Sequence, residues 1–230
     1  MKINVHAGHN PDGKIACGAV GLIKESTEAR KVKKEVIRLL RKKGHKVYDC
    51  TCTNGTSQTD VLKRIVTKCN KHKVDLDISI HFNCGVGDKK GNGKTTGTEV
   101  YVYSEKSAAK PAAERVVEEI AALGFKNRGV KIRTDLYVLR RTNSPAMLIE
   151  CCFVDDKDDV KLYDAKKMAA AIDGGEDYFC IDSKPIEICR PACAKRCSMG
   201  KNEIEKAPSF GYCASQGVYY YGSLVSTKKS

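Results

Sequence analysis

Residues 76–83, LDISIHFN, carry an apolar side chain at every second position and a single acidic residue, Asp77, between them. With so little charge on its second face, the run reads as a central strand covered on both faces. Helices must then lie on both sides of a sheet, and the rest of the chain supplies them. MKINVHAG reads as a first strand, followed by a Gly-rich loop that carries His9, Asn10 and Gly18. From Glu25 to Lys43, Ala29, Val32, Val36, Leu39 and Leu40 fall on one helical face. Gly44 stops that helix and HKVYDC is a second strand. Ser57 caps a helix running to about His72, with Val61, Leu62, Ile65 and Val66 inward. A polar loop, 85–96, leads into the strand GTEVYVY. Residues 107–123 read as helix, LYVL (136–139) as a short strand and PAMLIECCFV (145–154) as another buried strand. A closing helix runs from Asp156 to about Ile172. This alternation predicts an α/β fold: a twisted mixed, mostly parallel sheet flanked by helices on both faces.

After residue 172 the apolar periodicity weakens, and DGGEDY reads as a turn. The expected organisation is a domain over 1–174, a linker over 175–182 and a small Cys-rich tail or wall-binding accessory element over 183–230. The chain has 230 residues, enough for one well-buried domain with an appendage. No apolar stretch approaches the roughly 20 residues that span a bilayer, so membrane insertion is not expected. The N-terminus turns polar too soon for a signal peptide, which predicts synthesis in the cytosol and release by some other route.

The formal net charge of +13 points to a polyanionic partner. Trp is absent and there are only 5 Phe, so no stacking platform for single-stranded nucleic acid is visible, and nucleic acid is not expected. Of the 12 cysteines, those in the first 172 residues, including Cys84 and the Cys151–Cys152 pair inside apolar runs, read as reduced, mostly buried small hydrophobes. In the tail, Cys189, Cys193 and Cys197 repeat at a helical spacing. With Cys180 or Cys213 they offer either a structural zinc site or disulfides, beside the plainer reading of a loosely structured end.

Four side chains carry the chemistry. His9 follows the first strand, Glu25 opens the first helix, His81 ends the central strand and Glu150 ends PAMLIE. Two imidazoles and a carboxylate can hold zinc with one position open, and Glu150 can then handle protons. The set predicts a metal-dependent hydrolase. If the first and central strands are neighbours, both imidazoles leave the same sheet edge, with Asn83 close enough to orient a ligand or hold substrate. Two other motifs fail. GNGKT lacks the first Gly of a phosphate loop and precedes a strand, and no Cys–His arrangement marks a catalytic thiol.

The order of these motifs, with GH near the N-terminus, GAVGLIKE opening a helix, SIHFN at a strand end and PAMLIECCFVDDKDD near the domain end, resembles one family. It is the zinc-dependent N-acetylmuramoyl-L-alanine amidases of the type 3 class, phage lysins of Gram-positive hosts in particular. RKKGHKV, GTEVYVY and NRGVKIRTDLYVLRRTNSPAMLIE extend the resemblance over about residues 1–172. It implies that His9, Glu25 and His81 ligate Zn²⁺ and that Glu150 is the catalytic acid–base. Glu28 is a rival to Glu25, but the spacing from Glu25 to Gly44–His45 fits the family better. This chain reads His6-Ala7-Gly8-His9-Asn10 where many members have Asp-Pro-Gly-His-Gly, so His6 should point away from His9 or support it.

The implied activity is hydrolysis of the amide between N-acetylmuramic acid and L-alanine in peptidoglycan. The implied partners are the wall and its anionic polymers. A phage or prophage endolysin, released through a holin, is the leading expectation and a bacterial autolysin the next. A zinc exopeptidase and a non-catalytic wall-binding protein are the readings from other classes.

Overall fold

The computed structural model describes residues 1–174, 210–213 and 218–221. Six strands form one sheet: β1 (Lys2–Ala7), β2 (Lys46–Asp49), β3 (Leu76–Asn83), β4 (Thr98–Val102), β5 (Asn127–Ile132) and β6 (Ala146–Phe153). Their order is β2-β1-β3-β6-β4-β5. Every pairing is parallel except β4 against β6, so β4 and β5 run opposite to the other four. The predicted mixed, mostly parallel sheet is the observed one.

Strand alternation sorts the core into two layers. Ile3 and Val5, Ile78 and Ile80, Val100, and Met147 and Ile149 face one way. They pack against α1 (Glu25–Lys42), α3 (Lys110–Ala122) and α6 (Ala165–Asp173). Tyr101 and Leu148 face the other way, against α2 (Gln58–Cys69) and α4 (Tyr137–Arg141). β3 is buried on both faces, as expected, with Asp77 and Ser79 covered as fully as its apolar residues. The helix ends follow their local chemistry. Ser57 accepts a hydrogen bond from the Asp60 N–H at the start of α2, and Gly44, at φ +82°, lets the chain turn after α1. Among the described residues no helix is long and apolar enough to cross a membrane.

The structure corrects four expectations. LYVL is not a strand: Leu136 is extended and residues 137–141 form α4. Val138 and Leu139 are consecutive and both buried, which a helix lying on α2 allows and a strand with one covered face does not. The sixth strand is instead β5, NRGVKI, which was not expected as a strand. It lies at the sheet edge and is charged and only partly buried, so it carries no strong apolar signal. The closing helix is two helices, α5 (Lys157–Leu162) and α6, because Asp164 takes the Lys166 and Lys167 N–H groups and starts a new one. Cys84 is exposed, whereas Cys50, Cys52, Cys69, Cys151 and Cys152 are buried free thiols and Cys17 is half-buried.

Beyond residue 174 the described residues form an antiparallel pair, β7 (Phe210–Cys213) with β8 (Val218–Tyr221). The expected linker over 175–182, and the metal or disulfide state of the tail cysteines, lie outside the described residues.

Candidate metal and catalytic site

β1, β3 and β6 lie side by side and parallel, so their C-terminal ends share one edge of the sheet. His81 pairs in register with Glu150, and Glu150 with Glu99 on the antiparallel β4. Residues in register share a face, so the three form a row on the α2/α4 side, one step beyond Leu148 and Tyr101. The register slips between His81 and Asn83, a bulge of the kind that re-aims side chains at the end of a pairing. β6 runs on to Phe153, so Glu150 lies within the strand and not at its end.

His9 sits just past β1 with φ +62°, an uncommon conformation for a residue with a side chain. Its surroundings impose it. Arg30, from the second turn of α1, donates to the His9 and Cys52 carbonyls, each at 2.8 Å, and to Gly8 O at 3.4 Å. The buried Asn10 side chain bonds Gly55 N, Gly55 O and Ile15 O. Two glycines give the imidazoles room. A Cβ on Gly8 would lie 2.0 Å from His81 Cε1, and one on Gly18 2.5 Å from Glu25 Oε2 and 2.8 Å from His9 Cδ2.

Glu25 opens α1 and reaches back between the rings. His81 Nδ1 lies 3.0 Å and His9 Nε2 3.2 Å from Glu25 Oε1. The Ala19 N–H donates to Oε2 at 2.8 Å, and the Phe82 N–H to Oε1 at 3.3 Å. Burial alone would raise this carboxyl, but the hydrogen bonds to His81 and His9 hold it well below the usual carboxylate range. One donor atom from each of His9, Glu25 and His81 lies within 4.8 Å of the others, a set able to hold a metal ion. Tetrahedral ligands about 2.05 Å from zinc stand roughly 3.3 Å apart, close to the 3.0 and 3.2 Å spacings to Glu25.

Glu28 is excluded from the cluster. It pairs with Lys31 at 2.9 Å and accepts from the Tyr163 hydroxyl at 3.1 Å. His6 lies buried on β1 with Nδ1 3.4 Å from Ser79 Oγ and is not among the three donors. Burial, helped by the nearby His81, pushes its pKa down to about 3, so it stays neutral.

Glu150 is half-buried, and its Oε2 is buried without a hydrogen-bond partner. Burial first, then the Glu25 and Glu99 carboxylates, push it up to about 8 against the pull of Arg133. The flanking Glu99 went unnoticed in the sequence. It accepts from Arg128 and Asn83, each at 2.8 Å, and from Lys131 and Tyr101. Burial opposes its charge, but Lys131, Tyr101 and Arg128 hold it down to about 2. Asn83 therefore serves Glu99 and touches none of the three donors. Charged residues inside an apolar strand, such as Glu99 in GTEVYVY, were the available signal. Nothing in the sequence singled out Arg30, which acts through backbone carbonyls.

A three-layer α/β domain that gathers His–Glu–His donors and a raised carboxyl at one sheet edge has the layout of a hydrolase. Within that class the chain belongs to the N-acetylmuramoyl-L-alanine amidase family, whose description matches residues 3–175. It is 38% identical over 167 residues to an uncharacterised protein of Clostridium perfringens, covering 72% of this chain and 48% of that one. It is 32% identical over 166 residues to the endolysin of Bacillus phage SPP1, covering 68% and 56%. The catalytic domain of the CD27L endolysin, which targets Clostridia difficile, superposes with a TM-score of 0.65 at 29% identity, over 76% of this chain and 96% of that one. The chain spans about half the length of the curated relatives it matches.

Proposed function

We propose that the protein is a zinc-dependent N-acetylmuramoyl-L-alanine amidase that cuts peptidoglycan between the glycan and the stem peptide. The observation that carries this reading is the convergence of His9, Glu25 and His81 with a carboxyl of raised pKa one strand away. Two imidazoles and one carboxylate are a donor set that zinc favours, and such a set leaves a position open. Zinc bound there supplies Lewis acidity for the scissile carbonyl and acidifies the attacking water. Glu150 accepts the proton of that water and delivers it to the departing alanine nitrogen, and a carboxyl poised near neutral pH suits both transfers. Glu99 lies opposite Glu150 in register on β4 and is itself held by Arg128 and Lys131. The net charge of +13 favours approach to anionic wall polymers.

The resemblance to the SPP1 and CD27L endolysins supports a lysin acting on the wall. An autolysin would use the same site.

Digestion of purified cell walls with and without a chelator tests the proposal. New N-terminal L-alanine, appearing only with metal, is the expected result. New reducing sugar ends would mark a glycosidase and overturn it. Release of free amino acids from unlinked peptides would favour the zinc exopeptidase, and wall binding without cutting the non-catalytic protein.

A further inference from the structure

A narrow slot beside the three donors has no part in the chemistry above. It encloses about 20 Å³, is walled by Val61, Leu62, Ile65 and Val138, and reaches His9 and His81 at its other side. That volume admits one water-sized group. Gln58 and His6 also line it, but most of the surface inside is apolar, which suits a water needing two to four polar partners poorly. A methyl needs none.

The sheet order gives the slot a direction. Gly8 and His9 follow β1, on one side of β3, and the slot lies there. Glu150 is on β6, on the other side of β3. The scissile amide has an amine half and an acyl half. Glu150 delivers its proton to the nitrogen, so the amine half faces β6 and the acyl half faces β1. In a muramoyl amide, the carbon next to the carbonyl carries one methyl, that of the lactyl ether.

We propose that the slot seats the lactyl methyl, which makes Val61, Ile65 and Val138 the residues that recognise the acyl half of the substrate. This assignment rests on the amidase reading. It would distinguish a muramoyl amide from a glycolyl one and leave the first residue of the peptide largely unread.

The full-length, zinc-loaded protein is tested on three soluble substrates: a muramoyl-L-alanyl peptide, its analogue with a glycolyl ether lacking the methyl, and a muramoyl-glycyl peptide. Loss of the lactyl methyl should lower kcat/KM roughly tenfold or more, the usual effect of one carbon in an apolar pocket. The change from alanine to glycine should alter kcat/KM less than about twofold. Equal rates on the first two substrates, or a large effect of glycine alone, overturn the assignment while leaving amide cleavage intact.

Calorimetric binding of N-acetylmuramic acid and its glycolyl counterpart gives the same discrimination without turnover, so the slot remains testable if no amide is cut. Val61→Ala should shift preference toward an analogue with ethyl in place of methyl. Leu62→Phe, at a half-buried position that folding tolerates more readily, should erase the methyl effect. Unchanged discrimination in a folded variant overturns the proposal.

Discussion

Gly8 lies where the next side chain along β1 would meet His81. A Cβ there would fall 2.0 Å from His81 Cε1, inside any van der Waals contact, and the ring is already held by Glu25. Gly8→Ala should therefore fold but lose metal affinity by at least about 100-fold, measured as zinc retained after dialysis against a weak chelator. At Glu150 the expected outcome divides. Glu150→Gln should keep its zinc and lose about 10²–10⁴ in turnover, the range for a positioned general acid–base. The metal-free Gln variant should also be the more stable protein at pH 8. A carboxyl raised from 4.5 in the unfolded chain to about 8 in the folded one binds its proton more tightly when folded. That contribution is fully present below about pH 4.5 and is lost as pH rises through 8. For a half-buried group the gain from Gln should be about 2 kcal/mol at pH 8 and near zero at pH 4, read from melting of the chelated proteins. His9, Glu25 and His81 were legible as candidates in the sequence because each lies at or near the end of an element, and Glu150 because it is a carboxylate inside a buried apolar strand. Gly8 and Arg30 were not, because their work is steric or directed at backbone carbonyls, and Glu99 showed only as a charge inside an apolar strand.

The segment Asp155–Asp159 shows the same limit for whole elements. Asp155 accepts the Gly85 and Gly87 N–H groups, Asp158 those of Asn92 and Gly93, and Asp159 that of Gly97. Asp156 takes the Thr96 hydroxyl and caps α5 through the Asp158 and Asp159 N–H groups. The carboxylates thus fasten the Gly-rich loop between β3 and β4, which borders the site, to the end of β6. Asp156→Ala should cost about 1–2 kcal/mol, the loss of a helix cap and a hydroxyl bond, measured by denaturant unfolding. Hydrogen exchange should quicken across 85–97 while α1 stays protected. Helices and strands with a strong apolar period appeared where the sequence placed them, β3 to the residue. α4 and β5 departed from expectation, the one a helix where a strand was read and the other a strand that was not read at all. LYVL has strand-forming residues but is consumed in covering α2, and NRGVKI lacks an apolar stripe because an edge strand does not need one.

For the molecule as a whole, all six sheet strands and both core layers fall within residues 1–174. A fragment ending at Gly174 should unfold in a single cooperative transition and cut soluble muramoyl peptides at a rate comparable to the full chain, as two-state melting and peptide assays would record. On intact walls the full chain should lose activity as salt rises from 50 to 500 mM, because a charge of +13 attracts polymers over a distance that salt shortens. A salt-independent rate on walls, beside a salt-independent rate on peptides, would remove charge from the account of wall binding. By itself the sequence determined the three-layer class and the family and pointed to four candidate groups, with Glu28 a rival to Glu25, since these depend on periodicity and on residue type. Only the tertiary structure decided that Glu25 and not Glu28 faces the imidazoles, that Glu99 flanks Glu150, and that an apolar slot opens beside His9. Those facts depend on strand order and register, which bring together residues tens of positions apart, and no local pattern in the chain encodes such distances.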